Sequence, residues 1–164
     1  MVELWNPPYC GDIGLEIRSD GSWHYQGSPI ARLALVALFA SILRKDGDGQ
    51  TYLVTPSEKV DVRVADAPFL AVAMELAGTG DAQVVRLRTN LDEWVDVGAA
   101  HPLRFDLQPD GGLKPYVLVR GRLEARVARA VYLDMIALAE ATSLPDNWGL
   151  WSGGIWWPLE QDRF

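Results

Sequence analysis

Apolar and polar positions alternate with period two over residues 13–18, Asp20-Gly21 supplies a hairpin turn, and residues 23–26 return as a partner strand. The pattern then changes. From Ile30 to Leu43 only Arg32 and Ser41 are polar. Ser28 has the chemistry of an N-cap, and Pro29 suits a first helical position, where its missing N–H costs nothing. Arg44 and Lys45 suit the negative end of a helix dipole. The spacing therefore predicts a helix over residues 28–45, ended by Asp46-Gly47-Asp48-Gly49. A helix with no polar face is expected to be buried on most sides, with sheet curled round it.

Residues 50–55 and 59–64 read as strands, and Val60, Val62 and Val64 alternate with Asp61 and Arg63 as in a sheet with one wet face. Asp66-Ala67-Pro68 is the expected boundary between lobes. Residues 69–77, 83–89 and 94–97 continue as strands, with turns about every ten residues, which predicts an antiparallel meander. Residues 101–105 and 116–119 follow as strands. A second helix is predicted over residues 122–141, with Leu123, Val127, Val131, Met135 and Leu138 on one stripe and Arg122, Arg126 and Arg129 on another face. The glycine-interrupted, tryptophan-rich residues 148–159 read as a final strand or hairpin.

The grammar of turn, strand, glycine and helix occurs twice. Gly27 and Arg32 map onto Gly121 and Arg126 at one offset of 94 residues, and Asp20 maps onto Asp110. This predicts an internal duplication of a hairpin-and-helix unit. The expected fold is α+β: two structurally similar lobes, each a curved antiparallel sheet packed on a helix. Residues 1–12 form an N-terminal arm, kept extended by Pro7 and Pro8. Residues 13–67 form the first lobe and 68–164 the second.

Composition narrows the partners. The 164 residues are 49% hydrophobic and 23% charged, which is ordinary for a globular chain, and carry a net charge of −7. That field repels phosphate backbones and anionic lipid surfaces, so neither nucleic acid nor membrane is expected as a partner. The longest apolar run falls far short of the roughly 20 residues of a membrane span. The single cysteine, Cys10, cannot form an internal disulfide, and the N-terminus lacks the features of a signal peptide. A cytoplasmic protein is expected.

Against the acidic total, residues 114–132 hold Lys114, Arg120, Arg122, Arg126 and Arg129 with Glu124 as the one acid, a local +4. Arginines in the first turns of a helix oppose its dipole, and Arg122 and Arg126 repel each other at i, i+4. Either acids from neighbouring strands complete them, or an anionic ligand or acidic partner segment does. Arg32 is the counterpart in the first copy. The expected ligand site is Arg32, Arg126 and Arg129, with Trp23, Tyr25 and Trp151 as aromatic walls.

Other chemistries fail on spacing. His24 and His101 have no accompanying metal-ligand pattern. Asp46-Gly47-Asp48-Gly49 resembles a calcium loop only at its start, since the position of the bidentate Glu is Ser57. Cys10 lacks an orienting group, Ser152 lacks the first glycine of a nucleophile elbow, and no phosphate-binding glycine loop exists. No catalytic residue, metal or cofactor is expected. The competing readings are an enzyme using His24 or His101 as acid or base in a cleft between the lobes, and a structural module forming a homodimer.

The entry Cys10-Gly11-Asp12-Ile13 resembles a bacterial family of uncharacterised proteins known as a domain of unknown function. So do Gly27-Ser28-Pro29-Ile30, Val54-Thr55-Pro56, Asp66-Ala67-Pro68-Phe69, His101-Pro102-Leu103-Arg104 and Trp151-Ser152-Gly153-Gly154. The resemblance covers nearly the whole chain. It implies an α+β fold with two similar halves and a role in signal transduction or ligand sensing, and it brings no catalytic residues. The expected function is that of a non-enzymatic cytoplasmic regulator binding a small anionic molecule or an acidic protein segment.

Overall fold

The computed structural model describes residues 2–142 and 148–159; residues 160–164 of the expected second lobe lie outside the described residues. The chain divides into two compact units, Met1–Pro68 with Gly121–Leu123, and Phe69–Arg120 with Glu124–Phe164.

The first unit holds β1 (Tyr9–Ile17), β2 (Trp23–Tyr25), β3 (Ser28–Pro29), α1 (Leu33–Ser41), β4 (Leu43–Lys45), β5 (Thr51–Val54) and β6 (Lys59–Val64). They form one six-stranded sheet in the order β3-β2-β1-β6-β5-β4. β1 runs antiparallel to β2 and parallel to β6, with Leu15 beside both Tyr25 and Val62. The expected arm is thus partly strand, because β1 begins at Tyr9.

The second unit holds β7 (Phe69–Ala77), β8 (Val84–Thr89), β9 (Trp94–Asp96), β10 (Leu103–Leu107), β11 (Leu113–Arg120), β12 (Leu123–Val127), α2 (Arg129–Thr142) and the hairpin β13 (Gly149–Ser152) and β14 (Ile155–Pro158). Its six-stranded sheet has the order β10-β11-β12-β7-β8-β9, with β12 parallel to β7. α2 packs on β7 and β13.

In both sheets the first strand lies parallel to the sixth, and each half of the sheet is a three-stranded meander. The halves are alike, and neither sheet is wholly antiparallel as expected. The helices break the likeness: α1 stands between the third and fourth strands of its sheet, whereas α2 follows the sixth strand of the other.

The expected 94-residue offset therefore pairs elements that are not equivalent. The Asp110 turn joins β10 to β11, whose counterparts are β4 and β5, so it corresponds to the Asp48 turn and not to the Asp20 turn. All three share one local device. A backbone N–H two residues on donates to the aspartate Oδ1, from Ser22 to Asp20, Gln50 to Asp48 and Gly112 to Asp110, each at 2.9 Å. The shared turn chemistry made the wrong pair look equivalent.

Both helices are shorter than predicted. Gln26 and Gly27 have φ of 49° and 83°, the two positive values of a tight hairpin turn, so Ser28-Pro29 folds back as an edge strand on His24 and Tyr25. α1 starts only after Arg32, which is still extended, and Arg44 and Lys45 belong to β4. Similarly, Leu123, Ala125 and Val127 are buried while Glu124 and Arg126 alternate with them, so period two prevails over the helical stripe and Arg126 lies on a strand.

In the second unit Ser152 fixes the terminal hairpin to the sheet. Its buried hydroxyl accepts from Val85 N at 2.8 Å and donates to the Val97 carbonyl at 2.7 Å. Ser152→Ala leaves both backbone groups without their partner and is expected to cost about 2 kcal/mol by urea denaturation. A loss near zero would mean that water replaces the hydroxyl.

No helix among the described residues is long and apolar enough to cross a membrane.

Candidate ligand-binding site

The first sheet turns one face of Leu15, Ile17, Trp23, Leu53, Val60 and Val62 inward, all buried. Its opposite face carries charges, among them Glu16, Asp61 and Arg63, because side chains alternate along each strand. α1 covers the apolar face incompletely. Nine residues make a helix of roughly 13 Å, whereas six strands span roughly 24 Å. The uncovered part is a recess of about 430 Å³. Ile13 and Leu15 of β1, Tyr25 of β2, Leu35 and Phe39 of α1, Leu53 of β5 and Val60 of β6 line it, with Ile30, Ile42, Thr55 and Glu58. Its volume falls within the range of small-molecule sites, and its lining is mostly aliphatic and aromatic, as such sites are.

Backbone irregularity shapes the mouth. Gly14 has φ of +86° within a register shift of β1, and a Cβ there would come within 3.0 Å of the Gln26 side chain. This bulge leaves Ile13 42% exposed beside Tyr25, which is 45% exposed. The polar groups at the mouth differ in what they have left to offer. Thr55 Oγ1 accepts from the N–H groups of Ser57 and Glu58 and caps their turn. The Tyr25 hydroxyl accepts from Gln26 Nε2 at 3.3 Å, which leaves its own proton to donate. The exposed Glu58 carboxylate makes no hydrogen bond or ion pair among the described residues.

The outer side of α1 is apolar too. Leu33 is 75% and Leu38 59% exposed, with Ala34 and Ala37 exposed between them. The helix lacks a polar face, as its sequence says, but it is not enclosed by sheet as expected.

A second recess, of about 700 Å³, is polar and includes Trp5, Asn6, Arg44 and Lys45 in its lining. Its one buried cation is already committed. Arg44 donates to Asp46 Oδ1 at 2.6 Å and Oδ2 at 3.2 Å, and to the carbonyls of Val2 at 3.0 Å and Trp5 at 2.7 Å. Asp46 also pairs with Lys59 at 3.3 Å. This cluster holds the N-terminal segment against β4.

Hydrogen bonds set several titrations in this unit. Donation from Arg44 holds the Asp46 carboxyl below the usual range, that from the Ser22 hydroxyl lowers Asp20, and that from Tyr52 lowers Asp48. The same bond to Asp48 pushes Tyr52 up to about 12. A carboxyl depressed in the folded state stabilises it above the unfolded value near 3.9 and loses that contribution as pH falls through the folded value. The urea midpoint is therefore expected to fall between pH 5 and pH 3; an unchanged midpoint would mean that these bonds contribute nothing to folding.

The expected site residues are distributed over both units. Tyr25 lines the apolar recess. Trp23 is buried behind it, tilted against Phe39 at 6.1 Å between ring centres. Arg32 is the exposed residue that precedes α1. Arg126 on β12, Arg129 at the first position of α2 and Trp151 on β13 belong to the second unit. Within the arginine run Arg120 pairs with Glu93 at 2.9 Å, whereas Glu124, the one acid of the run, receives Arg104 of β10 at 2.9 Å.

Each histidine is engaged through one ring nitrogen. His101 Nδ1 lies 2.9 Å from the Leu118 carbonyl, and buried His24 contacts Ser22 Oγ through Nε2 at 3.0 Å. Ser22 Oγ in turn donates to Asp20 at 2.5 Å, so its proton points away from the imidazole and the trio lacks the order of a nucleophile, a base and its orienter. Neither histidine lines either recess. No cluster of metal-ligating side chains occurs among the described residues.

Residues 1–67 match the family described as "Domain of unknown function (DUF1285), N-terminal domain", and residues 68–159 match "Protein of unknown function (DUF1285), C-terminal domain". The chain belongs to the DUF1285 family. The crystal structure of a DUF1285 family protein from Silicibacter pomeroyi DSS-3 is similar at 46% identity and a TM-score of 0.88, covering 96% of this chain and 85% of that one. A DUF1285 family protein from Shewanella baltica OS155 is similar at 29% identity and a TM-score of 0.60, covering 76% of this chain and 91% of that one. No protein of curated function matches the chain.

Proposed function

We propose that this DUF1285 protein is a non-enzymatic ligand-sensing protein whose first unit receives a small, largely apolar molecule in the recess beside α1. The observation that carries this reading is an apolar recess of about 430 Å³ that α1 leaves open, rimmed by exposed Ile13 and Tyr25. No arginine or lysine lines it, so the ligand body is apolar and not the anionic molecule expected from the arginine run. Removing about 250 Å² of apolar surface from water contributes about 6 kcal/mol, against which the lost translational and rotational freedom of the ligand is set. A regulatory role fits the same place, because a bound ligand extends the surface on which α1 rests.

The neutral fluorophore N-phenyl-1-naphthylamine tests the reading. Saturable one-to-one enhancement with a Kd in the micromolar range is expected; a response linear in dye, without saturation, would sink it. The exposed Leu33 and Leu38 of α1 favour a second reading, a homodimer joined through the outer helix face. Sedimentation equilibrium separates the two, since a dimer dissociated by Leu38→Lys with dye binding intact assigns the outer face to assembly and the recess to the ligand.

A further inference from the structure

Resting on that reading, we infer that the recess selects an apolar molecule carrying a cationic or N–H-donating head group, and that Glu58 is the residue that reads it. The charge at the recess is of one sign. Among its eleven lining residues Glu58 is the single ionised group, and no lysine, arginine or histidine accompanies it. The cations nearest in sequence are committed on the other face of the sheet. Lys59 pairs with Asp46 and lies 4.4 Å over the Tyr52 ring, and Arg63 pairs with Asp12. Alternation along β6 sends Lys59, Asp61 and Arg63 away from the face that carries Val60 and Val62.

The turn geometry leaves this carboxylate available. Thr55 Oγ1 and the backbone of Ser57 and Glu58 satisfy one another in the β5–β6 turn, so the Glu58 side chain is not needed to hold it. Across the mouth the Tyr25 hydroxyl has one donor left, suited to a neutral oxygen or nitrogen of the same head group. An ammonium at the mouth gains attraction from Glu58, whereas a carboxylate there meets repulsion. At an exposed rim the difference amounts to about tenfold in affinity.

Displacement of bound N-phenyl-1-naphthylamine by octylamine and by octanoate at pH 7 and low salt tests the selection, because the two share one apolar chain. Octylamine is expected to displace the dye at about one-tenth the concentration of octanoate, and Glu58→Gln is expected to bring the two within about twofold, each referred to the variant's own dye affinity. Equal displacement by both on the wild-type protein would overturn the inference and leave the apolar recess standing. A preference for octylamine that survives in Glu58→Gln would overturn the role of Glu58. Failure of the dye to bind at all removes the recess reading itself, and the inference with it.

Discussion

Val60→Phe is expected to weaken binding of N-phenyl-1-naphthylamine at least about tenfold while changing folding stability by less than about 1 kcal/mol. Val60 is buried on β6, beside Leu53 on β5, and both line the recess. A benzyl group there fills space that the dye would occupy and gains contacts with Leu53 and Phe39. In a closed core the same enlargement would cost about 1–3 kcal/mol, because a packed interior has no room for the added ring. The two measurements thus answer different questions. A large loss of stability in urea would mean that the space is not open, and unchanged dye affinity with unchanged stability would mean that the dye binds elsewhere.

Arg44→Met is expected to cost about 3–5 kcal/mol. The Arg44 side chain is 8% exposed and Asp46 21%. Removing the guanidinium leaves Asp46 with Lys59 alone and withdraws the donor shared by the Val2 and Trp5 carbonyls. The comparison that gives the number meaning is Arg86→Met. That residue pairs with Asp96 at 3.2 Å, but the two side chains are 48% and 54% exposed, so a cost of no more than about 0.5 kcal/mol is expected. Urea denaturation of both variants checks the contrast, and similar losses from the two would show that burial at Arg44 does not set its value. Arg44→Met should also admit protease near Pro7 and Pro8, since the N-terminal segment loses its anchor on β4.

Much of the fold was legible because strands that bury one face announce themselves by alternation. Residues 59–64 and 69–77 were read at the bounds that β6 and β7 have. What could not be read from local pattern is which strands meet. The parallel partners β1 with β6, and β7 with β12, are separated by whole meanders, and no turn residue encodes their pairing. Where two periods fit the same residues, the strand period prevails over the helical one. Leu123, Val127 and Val131 fit a helix stripe, but Leu123, Ala125 and Val127 also fit a strand, and the sheet takes the latter.

Of the residues that line the proposed recess, Tyr25 is the one expected from the sequence as a ligand-site residue. The arginine run stands out by its charge, yet Arg120 finds an acid, Glu93, within the second unit. The recess instead consists of ordinary core residues, Leu15, Leu53 and Val60 among them, and nothing in their types distinguishes a filled core from an open one. The available signal was the length of the apolar run. An apolar helix as short as α1 cannot cover a six-stranded sheet, but its shortness follows from Ser28-Pro29 joining the sheet edge.

Methyl-labelled NMR spectra of the Ile, Leu and Val side chains during titration with N-phenyl-1-naphthylamine test the ligand site most directly. Shifts concentrated on Ile13, Leu15, Ile30, Leu35, Leu53 and Val60, with the methyls of the second unit unmoved, are the predicted result. Shifts centred on Leu33 and Leu38, or on Val85, Val117 and Leu150, would contradict it.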